Sequence, residues 1–71
     1  MTQDVYRLLG ELQTIDFFLT EINMYLDSHP QDATALERQQ RYQQIRQELD
    51  REYQGSIRLL HAAQQQLAAK K

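Results

Sequence analysis

The sequence predicts an all-α protein, an antiparallel helical hairpin with a C-terminal third helix or helical extension. Apolar residues recur in steps of three and four from residue 5 to residue 26, which indicates a helix. A polar connection with the single proline follows, and a second amphipathic stretch fills the rest of the chain. At 71 residues the chain is expected to form one small helical domain, residues 1–71.

The first helix is expected over residues 2–27. Its inward positions form an unbroken coiled-coil seam. The seam residues are Val5, Leu8, Leu12, Ile15, Leu19, Ile22 and Leu26. Leu9, Phe18 and Tyr25 flank the seam and widen the apolar stripe to the width that a bundle helix needs. The helix is expected to end before His29, because a proline disfavours helical geometry at the residue that precedes it.

The connection at residues 28–32 is short and rich in turn-forming residues, so the two helices should be antiparallel neighbours. Asp32 suits the N-cap of a second helix, expected over residues 33–54. The inward positions of that helix are expected to be Leu36, Tyr42, Ile45, Leu49 and Tyr53. Residues 1–32 hold six acids and one base, whereas residues 33–71 hold four acids and seven bases, so the two segments attract each other.

Gly55 is the position where the second helix is expected to end. The two arms would then be matched, since residues 2–27 span roughly 39 Å and residues 33–54 roughly 33 Å. A third helix over residues 56–70 would follow, with the glycine as a C-cap. The alternative is one long helix through Gly55, at a cost of about 1 kcal/mol. The sequence slightly favours the break.

Composition and motifs argue against catalysis. The absence of cysteine excludes disulfides, thiolate metal sites and thiol chemistry, and no glycine-rich phosphate loop is present. Asp27, His29 and Asp32 match no metal-ligand spacing and are better explained as helix-ending and helix-capping groups. We therefore expect no catalytic residue, no cofactor and no metal, and a protein that is not an enzyme.

The partners are expected to be proteins. A net charge of −2 argues against nucleic acid, and no apolar run approaches the length of a membrane span. The amino terminus lacks the basic and apolar pattern of a signal peptide, so an intracellular location is expected. A chain of this length buries a small core and commonly needs further support. Self-association or a tight contact with another protein is therefore expected.

Gly10, Phe17 and Met24 lie seven residues apart, on the side of the first helix opposite the seam. An aromatic residue and a methionine in line, with a glycine that lets another backbone approach, predict a contact surface. Two occupants are considered. Either an external partner binds there, or residues 56–69 fold back and cover this face.

Asp16 and Glu21 complete the candidate protein-binding residues. Asp16 lies beside the seam. It either faces a base of the second helix, such as Arg46, or is held for a partner.

The first helix leads into the run Tyr25-Leu26-Asp27-Ser28-His29-Pro30. Together with Asp16-Phe17, Glu21, Asp32 and Ala35, this run resembles the central motif of the CotJB family, small spore-coat proteins of endospore-forming bacteria. Ser28 stands where threonine is more usual, and the resemblance covers residues 8 to about 53. After Tyr53 the sequence departs from the family's proline-containing ending and aromatic tail, since its own tail is rich in glutamine and alanine.

The resemblance implies a structural role in assembling the inner layers of the spore coat, with no catalytic activity. It implies a location in the mother-cell cytoplasm and then the coat. Family members belong to a group of three coat proteins encoded together, of which the third is similar to dimanganese catalases. Other coat proteins, including such a catalase-like protein, are therefore the implied partners.

The alternative function is a generic intracellular helical adaptor or chaperone-like module. Leu26-Asp27-x-His29-Pro30 followed by Ala35 also resembles the junction of a tetratricopeptide-like hairpin. That architecture needs tandem repeats of about 34 residues. Residues 36–69 do not repeat residues 2–35.

Overall fold

The computed structural model describes the backbone of residues 2–69 and the side chains of residues 3–68. Over this range the chain forms two helices, α1 (Thr2–Ser28) and α2 (Ala33–Ala69), and no strand. The described residues measure 60 × 15 × 14 Å, which fits the predicted hairpin. The all-α class is therefore confirmed. The predicted end of a third helix, at residue 70, lies outside the described residues.

The core is narrow and is supplied mainly by α1. Its buried side chains are Leu8, Leu12, Ile15 and Leu26, joined by Ala35 from α2. Leu8 is 1% exposed and is the most deeply buried large side chain. Removing a leucine side chain from water contributes about 1.5–3 kcal/mol, so the seam of α1 supplies much of the apolar stabilisation of the hairpin.

The connection is closed by backbone hydrogen bonds at each end. The His29 N–H donates to the Tyr25 carbonyl at 3.0 Å, and the Asp32 N–H donates to the His29 carbonyl at 3.2 Å. Asp32 Oδ1 accepts from the Ala35 N–H at 3.1 Å. This bond satisfies one of the free amide groups in the first turn of α2. The N-cap predicted at Asp32 is therefore confirmed.

Two polar pairs show how the helices are aligned. Arg46 Nε lies 2.6 Å from Asp16 Oδ1, and Gln39 Nε2 donates to Asn23 Oδ1 at 2.7 Å. The residue numbers of each pair add to 62, so Thr2 lies at about the level of residue 60. The end of α2, residues 61–69, consequently extends past the first described residue of α1.

α2 continues through Gly55 as one helix, so the structure has the second of the two alternatives. The favoured break, with a helix end at residue 54 and a separate third helix from residue 56, is wrong. Gly55 does not adopt the positive φ of a left-handed cap. A helical glycine costs about 1 kcal/mol relative to alanine. Ile57 and Leu60 are half-buried beyond it, and their partial burial offsets that cost.

The predicted inward face of α2 is only partly buried. Leu36 is 41% exposed and Ile45 is 37% exposed, whereas Tyr42, Leu49 and Tyr53 are half-buried. The reason is geometric. A single neighbouring helix covers a strip narrower than the full apolar stripe of α2, and the remaining edge of the stripe faces solvent.

Candidate protein-binding surfaces

A line of uncharged residues runs along α1 on the side away from the buried seam. We name it the outer face, and its members are Tyr6, Gly10, Gln13, Phe17, Thr20 and Met24. Tyr6, Phe17 and Met24 are 70%, 59% and 66% exposed. Single exposed apolar side chains are ordinary on a protein surface, whereas several that share one face form a candidate interaction surface.

The described chain does not cover the outer face. Residues 56–69 continue α2 along its own axis and do not fold back over α1. Gly10, Phe17 and Met24, the three residues singled out in the sequence, remain exposed. Of the two occupants considered for this face, internal cover by residues 56–69 is therefore absent from the structure.

Backbone contacts make the outer face more apolar than its composition suggests. Thr20 Oγ1 donates to the Asp16 carbonyl at 2.9 Å, so its hydroxyl is already satisfied within the helix. Nothing lies within 4 Å of the position that a Cβ on Gly10 would occupy. A second backbone can therefore come close at Gly10.

The two candidate carboxylates lie in different surroundings. Asp16 pairs with Arg46, and the hydrogen bond and charge of Asp16 raise the pKa of the Arg46 guanidinium. Both side chains are about half exposed, at 52% and 44%, so the pair contributes little to stability. Glu21 is exposed and lies beside Phe18 and Arg38 at the junction of the two helices. Of the two alternatives for Asp16, the structure has the contact with Arg46.

An open apolar groove of about 570 Å³ lies between the helices. Its lining residues are Arg7, Gly10, Glu11, Thr14, Ile15, Phe18, Ile45 and Leu49. Phe18 forms one wall and stacks on Tyr42, with ring centroids 5.7 Å apart and planes 28° apart. Phe18 nevertheless remains 42% exposed. We name this surface the interhelical groove.

The interhelical groove was not expected from the sequence, because Phe18 and Ile45 belong to apolar stripes that a hairpin was expected to bury. A signal was present. Both helices carry stripes wide enough for a bundle, but two helices cover only one edge of each stripe. The uncovered edges, on the same side of the hairpin, make the groove.

The residues of the CotJB-like motif build the connection between the helices. Tyr25 and His29 stack edge to face with ring centroids 4.3 Å apart, and His29 Nδ1 lies 3.2 Å from the Tyr25 carbonyl. Leu26 is 8% exposed and belongs to the core, whereas Asp27 and Pro30 face solvent. This part of the motif therefore has a structural use in closing the hairpin.

Tyr25 also donates its phenolic hydrogen to Asp32 Oδ2. This hydrogen bond is the largest cause of a lowered Asp32 pKa, and the backbone hydrogen bond from Ala35 is the next. The same bond to Asp32 raises the pKa of the Tyr25 phenol. Both shifts favour the pairing of an ionised carboxylate with a neutral phenol at neutral pH.

Across residues 2–69, no group of three or more histidine, aspartate or glutamate side chains is placed to hold a metal ion. Over the same range, neither helix has an apolar stretch long enough to cross a membrane.

Comparison with known protein families gives a match over nearly the whole chain. The family model described as "CotJB protein" matches residues 6–71. The match extends past residues 8–53, which carry the motif resemblance, into the glutamine-rich tail. No curated protein and no solved structure matches the chain. CotJB is not a known enzyme family, and it is associated with the spore coat. The chain therefore belongs to the CotJB family and has a spore-coat-related role.

Proposed function

We propose that this protein is a non-catalytic adaptor in spore-coat assembly, and that it binds other proteins through the outer face of α1. The observation that carries the proposal is the exposure of Tyr6, Phe17 and Met24 along one line of the helix. Family membership supplies the setting, the spore coat.

The chemistry of the outer face suits protein binding. Aromatic residues and methionine are enriched at the centres of protein interfaces, where a few buried anchors supply most of the binding energy. Phe17 and Met24 are seven residues apart, so both can enter one partner surface from the same side of the helix. Gly10 extends this line and leaves space for close approach.

The interhelical groove supports an adaptor with two binding surfaces. It adjoins the outer face at Gly10, which belongs to both surfaces, and it extends from there to Ile15, Ile45 and Leu49. An apolar groove between two helices suits the apolar side of an amphipathic helix. A protein with two such surfaces can hold two coat proteins together, which is the task of an adaptor.

The proposed partners are other coat proteins, including a dimanganese-catalase-like protein, which the family resemblance implies. The candidate residues are Phe17, Met24 and Gly10, with Asp16 and Glu21 on either side of them. Of the motif residues, Tyr25, Leu26 and His29 close the connection between the helices, whereas Asp27 and Pro30 face solvent there.

The experiment that tests this function is capture from sporulating cells of the native host with a tagged chain. We expect coat proteins to be recovered with the wild-type chain and to be lost with Phe17→Ala or Met24→Ala. Leu67→Ala is the matched control, because Leu67 is 69% exposed but lies in the extension of α2. Equal recovery of coat proteins with all three variants would contradict the assignment of binding to the outer face.

A fluorescent fusion tests the setting separately. We expect it to form a shell around the developing spore, and we expect Phe17→Ala to leave it diffuse in the mother cell. A wild-type fusion that never reaches the spore surface would contradict the coat role itself.

A further inference from the structure

The outer face of α1 has the spacing of a second coiled-coil seam. Its six residues are separated by steps of four, three, four, three and four, and none of them is charged. This is the spacing that lets two helices supercoil around each other and stay in contact along their length. Tyr6 and Met24 mark its ends, roughly 27 Å apart along the helix axis. An exposed seam of this regularity fits a helix better than it fits an irregular surface.

The outer face is also complementary to itself. When two copies of α1 lie antiparallel, each layer pairs two residues whose numbers add to 30. Tyr6 then faces Met24 of the second copy, a favourable contact between a ring and a thioether sulfur. Gly10 faces Thr20, which brings two small residues together where the backbones must approach. Gln13 and Phe17 form the central layer.

Charges beside the outer face favour the antiparallel arrangement. On one side of it the facing residue numbers add to 28, so Arg7 meets Glu21 of the second copy, and the contact occurs twice. Among the described residues, Arg7 forms an ion pair with Glu11 alone, at 3.0 Å, and the two side chains are 54% and 44% exposed. In the part of the chain that the structure describes, Glu21 forms no ion pair.

A parallel pair of α1 helices is disfavoured by the same charges. In parallel register, Asp16 of each copy would face Glu21 of the other, which places like charges together. The antiparallel pair has one such contact, between the two copies of Asp16, and two favourable contacts between Arg7 and Glu21. Asp16 is hydrogen-bonded to Arg46 of its own chain at 2.6 Å in either arrangement. The second copy is therefore the occupant that both the spacing and the charges fit.

We propose that the outer face of α1 binds the same face of a second copy of this chain, as an antiparallel pair about a twofold axis. The proposal rests on the proposed function, because it names the first partner of the same surface. One edge of the interhelical groove, at Arg7, Gly10 and Thr14, lies at or beside this contact, whereas Ile45 and Leu49 of the groove belong to α2. The adaptor is then a symmetric dimer with two equivalent grooves.

Sedimentation equilibrium of the purified chain tests the pairing. We expect twice the 8.5 kDa mass of one chain. Phe17→Ala should weaken the dimer roughly 30-fold or more, as truncation of an interface anchor does. Leu67→Ala should leave the dimer unchanged. A wild-type chain that stays monomeric at millimolar concentration would overturn the proposal.

A charge exchange tests the partner and the direction together. Arg7→Glu and Glu21→Arg should each weaken the dimer, and the double variant should restore it.

Because the chain has no cysteine, single introduced cysteines report the direction of the pair cleanly. A short bismaleimide should cross-link Thr14→Cys, beside the twofold axis, but not Gln3→Cys, whose copies are roughly 36 Å apart. Cross-linking of Gln3→Cys alone, or no restoration in the double variant, overturns the antiparallel pair.

The outcomes separate this pairing from the adaptor function. A monomeric wild-type chain whose Phe17→Ala variant still loses coat proteins overturns the pairing and leaves the adaptor function standing. A dimer that passes the charge-exchange test, in a chain that recovers no coat protein, supports the pairing and overturns the adaptor function.

Discussion

Tyr25 and Asp32 join the end of α1 to the start of α2, with the phenolic hydroxyl donating to Asp32 Oδ2 at 2.5 Å. The other carboxylate oxygen of Asp32 accepts from the Ala35 N–H at 3.1 Å. One side chain therefore closes the connection and caps the second helix. Because Asp32 does both, the connection is closed by a pair of residues of which Tyr25 is exposed and Asp32 is half-buried.

Tyr25→Phe is expected to raise the pKa of Asp32 towards its ordinary value. The hydrogen bond from Tyr25 is the largest cause of the lowered pKa, so its loss leaves mainly the capping bond from Ala35. An NMR titration of the Asp32 carboxyl carbon measures the change. Tyr6→Phe is the matched control, because Tyr6 lies on the outer face, and it should leave the Asp32 pKa in place. Equal pKa values in both variants would contradict the role of the Tyr25 bond.

The stability of the hairpin should fall in acid through Asp32. Its pKa is lower in the folded chain than the ordinary 3.8. Its contribution is therefore fully present above that ordinary value and is lost as the pH falls through the folded pKa. Asp32→Asn keeps a capping oxygen but removes the charge. We expect its melting temperature to lie below that of the wild type at pH 7 and the difference to shrink towards pH 2. A difference that is constant with pH would contradict this.

The seam of α1 should tolerate truncation poorly. Leu8→Ala and Leu12→Ala remove side chains that are 1% and 9% exposed, and each should cost about 2–5 kcal/mol. Leu19 is half-buried, so Leu19→Ala should fall near the lower end of this range. Urea unfolding followed by circular dichroism measures the loss. Leu9→Ala is the control, since Leu9 is 36% exposed, and a cost as large as that of Leu8→Ala would contradict the assignment of the core.

The sequence predicted α1 well because its seam is regular over seven positions, and it predicted the N-cap at Asp32 because capping is a local property. Whether α2 ends at Gly55 was harder to predict, since a glycine can end a helix or lie within one. The choice depends on whether the next residues are buried by the rest of the fold, and Ile57 is half-buried. Such burial depends on tertiary packing and cannot be predicted from the local sequence.

The same limit applies to the surfaces. The outer face could be read from the spacing of Gly10, Phe17 and Met24, because a helix has a fixed period. The interhelical groove could not, because the exposure of Phe18 and Ile45 depends on how many helices pack around them. Sequence pattern indicates which residues are apolar on one side, but the number of neighbours decides which of them are buried.

Gly55→Ala is expected to stabilise the fold by about 1 kcal/mol. Gly55 is helical, has no positive φ, and has nothing within 4 Å of the position of a Cβ, so alanine fits without strain. The melting temperature at fixed concentration measures the gain. Gly10→Ala should give a similar gain in helix stability, for the same reason. It should differ in weakening self-association, because only Gly10 lies on the outer face. A loss of stability in Gly55→Ala would contradict the continuous helix.

Phe17→Ala and Leu12→Ala are expected to affect different properties, binding and stability respectively, although both residues lie on α1. Leu12 is 9% exposed and packs in the seam, whereas Phe17 is 59% exposed on the outer face. Leu12→Ala should therefore lower the free energy of unfolding with little direct effect on binding by the molecules that remain folded. Phe17→Ala should keep its helix content and its melting temperature in dilute solution, where few copies are paired.

Partner binding should be weakened more by Phe17→Ala than by Leu12→Ala. Phe17→Ala and Met24→Ala remove anchors whose truncation typically costs about 2 kcal/mol or more of binding free energy. Circular dichroism melts of the variants, run beside the capture assay from sporulating cells, separate the two effects. If Phe17→Ala unfolds as readily as Leu12→Ala, its ring belongs to a core that the described hairpin does not contain. If it changes neither stability nor capture, the outer face does not bind coat proteins. For Phe17→Ala we expect loss of capture with an unchanged melt. Phe17 faces outward, whereas Leu12 faces the neighbouring helix of the same chain.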